Sequence, residues 1–88
     1  MRVVIVVKRQ SEYFREASEW QTDFNRETGN EVEIIDPETI DGEIFASARD
    51  IVQYPTLVVL GGDGGIIRKW SGSPLPQFDQ VIYTLRSV

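Results

Sequence analysis

The chain contains no cysteine and no histidine. Without a thiol it has no disulfide, no thiolate nucleophile and no redox couple. Without an imidazole it lacks the one side chain that titrates near neutrality unaided. Together the two absences remove the usual zinc ligand sets, so no metal site and no cofactor is expected. Long apolar runs are missing too. The longest, Val3 to Val7 and Leu57 to Leu60, fall far short of the roughly 20 residues that span a bilayer. No membrane partner is expected. The apolar stretch after Arg2 is too short for a secretory leader, and no small-residue cleavage site follows it, so a cytoplasmic location is the default expectation. Positive charge is scarce, with 9 Lys and Arg against 14 Asp and Glu and a net charge of −5. Nucleic acid binding calls for a basic face, because each phosphate contact needs a cation, and it is not expected here.

What the chain does have is the composition of one small globular domain, residues 1–88, with 41% hydrophobic residues. Arg2 to Val7 is a β-branched run of the kind that forms a strand buried on both faces. Ser11 then stands where a helix N-cap is expected, with Glu12 in the first turn. The pattern is helical to Thr28. Tyr13, Ala17, Trp20 and Phe24 recur on one face with Phe14 flanking, while Arg15, Glu16, Glu19, Asp23 and Arg26 take the other. Gly29 and Asn30 supply the stop. Glu31 to Ile35 reads as a second strand, ended by Asp36-Pro37. After a polar connection containing Asp41-Gly42, a short helix is expected from about Glu43 to Asp50, with Ile44, Phe45, Ala48 and Ile51 facing inward. Thr56 to Leu60 and Ile66 to Trp70 are strands joined by Gly61-Gly62-Asp63-Gly64-Gly65, whose glycines supply the positive φ angles of a hairpin. A last helix runs from Gln77 to Arg86 with Phe78, Val81, Ile82 and Leu85 as its apolar stripe.

The order is β-α-β-α-β-β-α. The opening strand–helix–strand implies a right-handed parallel crossover, and the hairpin completes a four-stranded mixed sheet with helices on its faces. That order is the minimal thioredoxin fold, an α/β three-layer sandwich, and local residues carry the resemblance. Tyr54-Pro55-Thr56-Leu57-Val58-Val59 resembles the cis-proline segment of thioredoxins and glutaredoxins. Gly64 through Gly72, with Arg68-Lys69-Trp70-Ser71-Gly72, resembles the hairpin and glycine corner that follow. The resemblance covers essentially the whole chain and implies a cis bond before Pro55. The departure lies after the first strand. Where the family carries Cys-x-x-Cys at the helix start, this chain reads Ser11-Glu12-Tyr13-Phe14. A serine hydroxyl has no thiolate form, so neither disulfide exchange nor deglutathionylation is expected. A hydrolytic role for Ser11 would need a general base, and no histidine exists to act as one.

The expectation is therefore a non-catalytic module that binds a protein or peptide in the groove beside the cis-proline segment, and that is itself a monomer. Lys8 matches the glutaredoxin lysine that contacts a glutathione carboxylate, and Arg9 stands beside it. The resemblance places Tyr54 nearby, where the family pairs the backbone of that residue with an extended peptide. The expected contacts are Lys8, Arg9, Ser11, Tyr13, Tyr54, Pro55, Thr56 and Gly72. Each has a plainer reading. Ser11 is explained by capping, Lys8 and Arg9 by solvation, and Pro55 by architecture. Two alternatives stand beside the peptide reading. One is a binder of glutathione or a similar acidic peptide, against which Ser71-Gly72-Ser73-Pro74 lacks the acidic residue that glutaredoxins place there. The other is self-association through the open sheet edge near Trp70, an edge that Arg68 and Lys69 blunt. Trp20 is expected in the core, and Trp70 beneath the last helix. The acids Glu12, Glu16, Glu19, Asp23 and Glu27 read as a solvated helix face, and Asp63 as a turn residue.

Overall fold

The β-branched run at the start forms strand β1 (Arg2–Val6) in the computed structural model of the protein, which describes residues 1–87. The remaining elements are α1 (Phe14–Thr28), β2 (Val32–Ile35), α2 (Ile40–Ala48), β3 (Thr56–Leu60), β4 (Ile66–Ser71) and α3 (Phe78–Arg86), in the expected order. The sheet runs β2-β1-β3-β4. β1 pairs with β2 in parallel and with β3 antiparallel, and β3 pairs antiparallel with β4. Alternate side chains of a strand point to opposite faces, so the two central strands feed two cores. Val3, Ile5, Leu57 and Val59 meet α1 and α3 on one face. Val4, Val6, Val58 and Leu60 meet α2 on the other. The result is three layers, with every residue of β3 buried. No helix among the described residues is long and apolar enough to cross a membrane.

α1 buries Ala17, Trp20 and Phe24, as its periodicity predicts. Trp20 stacks on Phe24 with centroids 4.6 Å apart, and Phe78 of α3 meets both rings edge-on. The indole N–H of Trp20 donates to the Pro76 carbonyl at 2.9 Å. This aromatic cluster is what fastens α3 to α1. The helix ends at Gly29, whose φ of 76° is the left-handed conformation expected of the stop.

Three local expectations are corrected. Ser11 is not the N-cap. The helix begins at Phe14 with Tyr13 in the cap position and no side-chain cap, and the Ser11 hydroxyl donates instead to the Lys8 carbonyl at 2.7 Å. A turn closed by Phe14 N–H on the Ser11 carbonyl takes up the intervening residues. Tyr13 is therefore off the buried stripe, 37% exposed at the helix end, and Phe14 packs on the core in its place.

α2 starts earlier than expected. Thr39 caps it, its hydroxyl accepting the Gly42 N–H at 3.0 Å, with Asp41 and Glu43 in the first turn where the helix dipole favours acids. Asp41-Gly42 is thus helix and not connection. Starting at Ile40 rotates the inward face onto Gly42, Phe45 and Ala46. Ile44 is left 63% exposed and Ala48 is exposed, while Ile51 is buried beyond the helix end.

In the β3–β4 hairpin, only Gly64 of the four glycines has a positive φ, 84°. Gly61 and Gly65 close the turn through a backbone bond, and a bulge at Val59/Leu60 absorbs the extra residue.

Candidate functional site

Register brings Lys8, Tyr54, Pro55, Thr56 and Gly72 together, while Arg9, Ser11 and Tyr13 make their contacts elsewhere. Antiparallel pairing sets Val6 opposite Thr56, so the chain leaving β1 and the chain entering β3 lie side by side. Lys8 and Tyr54 follow from this, and the Lys8 Nζ lies 5.7 Å from the Tyr54 ring centroid. Thr56 also faces Ser71 of β4, which carries Gly72 to Pro55. The Gly72 N–H donates to the Pro55 carbonyl at 2.7 Å. The Tyr54–Pro55 peptide is cis, and so is Ser73–Pro74. Gly72 has a φ of 88°, a conformation that calls for glycine, whereas the Gln53 Nε2 that a Cβ would meet at 2.9 Å is the movable end of a side chain.

The site residues differ in what they leave free. Thr56 is buried, and its hydroxyl donates to the Gln53 carbonyl, so its side chain offers nothing to a ligand. The Pro55 carbonyl is taken by Gly72. Among the described residues, no hydrogen bond within the chain reaches the N–H or the C=O of Tyr54. Lys8 is exposed and makes no ion pair among the described residues. Arg9 is exposed over the Phe14 ring at 5.5 Å, and its backbone N–H donates to the Asp36 carboxylate at 3.4 Å. Ser11 and Tyr13 stand at the entry to α1, half-buried and exposed respectively. The surface is an open shelf on which Lys8 stands beside the unpaired Tyr54 peptide unit, while Arg9 lies apart, over Phe14 and against the end of β2.

Three residues position the site without having been assigned that role from the sequence pattern. Glu16, expected on a solvated face, accepts from the Ser73 hydroxyl at 2.9 Å and from the Leu75 N–H at 3.0 Å. It clamps the loop that carries Gly72. Asp36 accepts the N–H groups of Glu38 and Arg9 and so ties the end of β2 to the loop after β1. Arg49 lies 4.0 Å over the Phe45 ring and donates to the carbonyls of Phe45 and Gly64, joining α2 to the β3–β4 hairpin. For Asp36, the adjoining proline was a usable signal of a fixed turn. For Glu16 there was none, because its partners lie 57 and 59 residues away.

Trp70 is half-buried and packs against the core shared by α1 and α3, with the Arg68 guanidinium 4.8 Å over its ring. Its indole N–H is buried without a partner among the described residues.

No family model matches the chain, and no curated protein matches it. Solved structures do. Thioredoxin 1 from Thermosipho africanus TCF52B superposes with a TM-score of 0.71 at 14% identity, over 99% of this chain and 92% of its own. Thioredoxin O2 from Arabidopsis thaliana, in its oxidized state, also gives 0.71, at 11% identity over 99% of this chain and 73% of its own. The fold is thioredoxin-like, and the chain has no cysteine with which to carry out thiol–disulfide exchange.

Proposed function

We propose that the chain is a non-catalytic thioredoxin-like module that binds an extended segment of a protein or peptide across Tyr54, flanked by Lys8, Arg9, Ser11 and Tyr13 on one side and Gly72 on the other. The observation that carries this reading is the Tyr54 backbone. Its donor and its acceptor are both unused among the described residues, while the neighbouring Pro55 and Thr56 groups are engaged. Polar backbone groups find partners in folded proteins, and an extended peptide supplies a donor and an acceptor at the right spacing. The absence of cysteine and histidine supports the non-catalytic part. A cytoplasmic setting and a monomeric state belong to the same proposal.

An amide chemical-shift titration of the labelled protein tests it, with a panel of blocked extended peptides and with reduced glutathione. Shifts at Lys8 to Tyr13, Tyr54, Thr56 and Gly72 caused by peptides are the expected result. Glutathione alone moving the same resonances would replace the peptide reading with a small-molecule one. Silence there, together with broadening from Ile66 to Trp70 as protein concentration rises, would move the binding surface to the sheet edge.

A further inference from the structure

Beside Tyr54 the chain builds a second feature. Glu43, Ser47 and Asp50 follow one another at spacings of four and three residues, which sets them along one side of α2 and its closing turn. They wall a cavity of about 320 Å³ whose other lining is Ile51, Val52, Tyr54, Pro37 and Ala46. Neither carboxylate is neutralised. Among the described residues the ion pairs are Arg2–Glu33, Arg15–Glu19 and Arg26–Asp23. The cation nearest in sequence, Arg49, is spent on the Phe45 ring and on two carbonyls. Val52, on the cavity lining, is 87% exposed, an aliphatic surface with nothing over it. Tyr54 belongs to this cavity and to the shelf described above, whereas Lys8 meets the Tyr54 ring and takes no part in the cavity lining.

We propose that this cavity receives the side chain of a lysine or arginine from the extended segment that pairs with Tyr54. The proposal rests on the peptide reading of Tyr54. Residues of an extended chain rise about 3.3 Å each and alternate in direction, so a residue next to or one removed from the one paired with Tyr54 reaches the opening. A long basic side chain suits the lining. Its methylenes cover the exposed Val52 while its head group meets Glu43 and Asp50. Both carboxylates are exposed, so their attraction for the cation is modest and screened by salt, and the cover that the side chain gives Val52 adds to it. An acidic residue at the same position is repelled. The cation at Lys8 reverses the preference on the shelf, so the segment is read with one polarity.

The test is a pair of blocked extended peptides, identical except for arginine or glutamine at one position that is scanned along the sequence, titrated by amide chemical shift and by fluorescence anisotropy at low and high salt. At the matching position the arginine peptide binds about fivefold more tightly, the gain shrinks in high salt, and Glu43, Ser47, Asp50 and Val52 move with Tyr54. The double substitution Glu43→Gln with Asp50→Asn removes the preference and leaves the Tyr54 and Gly72 shifts in place. Equal affinity for both peptides at every position, with shifts at Tyr54 and Gly72, overturns the cavity assignment and leaves the peptide reading standing. No shift with either peptide overturns both. Movement of Asp50 and Val52 with protein concentration alone makes a second copy of the chain the occupant and overturns the assignment as well.

Discussion

An ideal Cβ built on Gly42 would lie 1.8 Å from the Asp36 carbonyl oxygen and 2.8 Å from the Thr39 hydroxyl. The glycine is there because the first turn of α2 closes directly on the end of β2, with Thr39 accepting its N–H. Backbone cannot give way as a flexible side-chain end can. Gly42→Ala is therefore expected to cost about 3 kcal/mol or more, read as a fall in the urea midpoint, even though alanine is the better helix former. An unchanged midpoint would mean the helix start is misplaced. Asp50 is the opposite case. It is the only non-glycine residue with a positive φ among those described, 54°. Its N–H and that of Ile51 bond back to Ser47 and Ala46, which is the Schellman closure of α2, with aspartate where glycine is usual. Asp50→Gly should stabilise the fold by about 0.5–1 kcal/mol, because only the side chain pays for the left-handed conformation. The same substitution removes one of the two carboxylates in the cavity, so thermal melts and the arginine preference should move in opposite directions.

At the scale of elements, the loop between β4 and α3 is held by one carboxylate. Glu16 accepts from Ser73 and Leu75, and the Trp20 indole reaches Pro76 just beyond. Hydrogen bonds to a charged group are stronger than neutral ones, and Glu16 is only half-buried, so Glu16→Ala is expected to cost about 1–2 kcal/mol. Its specific mark is faster amide exchange at Leu75, with the α1 amides following only the global loss. Unchanged protection at Leu75 would show that the aromatic cluster of Trp20, Phe24 and Phe78 secures the loop unaided.

For the molecule as a whole, the excess of acid is spread over the helices while the sheet edge at β2 carries its own pair. The Arg2 guanidinium donates to both Glu33 oxygens at 2.8 Å. That hydrogen bonding holds the Glu33 carboxyl below its usual range, against a smaller opposing effect of burial. A carboxylate whose folded pKa is depressed contributes stability above its unfolded pKa and loses it as pH falls through the folded value. Both side chains are 46% exposed, so solvent screening keeps the contribution well under about 1 kcal/mol. Stability curves of the parent and Glu33→Gln should therefore differ slightly at neutral pH and converge on the acid side. Divergence on acidification would contradict the pairing.

The order of elements, the two buried central strands, the glycine stop of α1 and the exclusion of thiol chemistry were all determined by the sequence alone. Each depends on residue type and local period, which act within a few positions of the chain. The start of α2 was legible in principle, from Thr39 followed by Asp41 and Glu43, but the apolar spacing of Ile44, Ala48 and Ile51 competed with it. Burial decided against that spacing, because Gly42 and Ala46 let the helix approach the sheet more closely than isoleucine allows. Only the tertiary structure decided that Glu16 grips a distant loop, that Thr56 turns inward, that Lys8 meets Tyr54, and that Glu43 and Asp50 share a recess. These are contacts between groups far apart in the chain, made when strand register and helix packing set their positions. No local propensity carries that information.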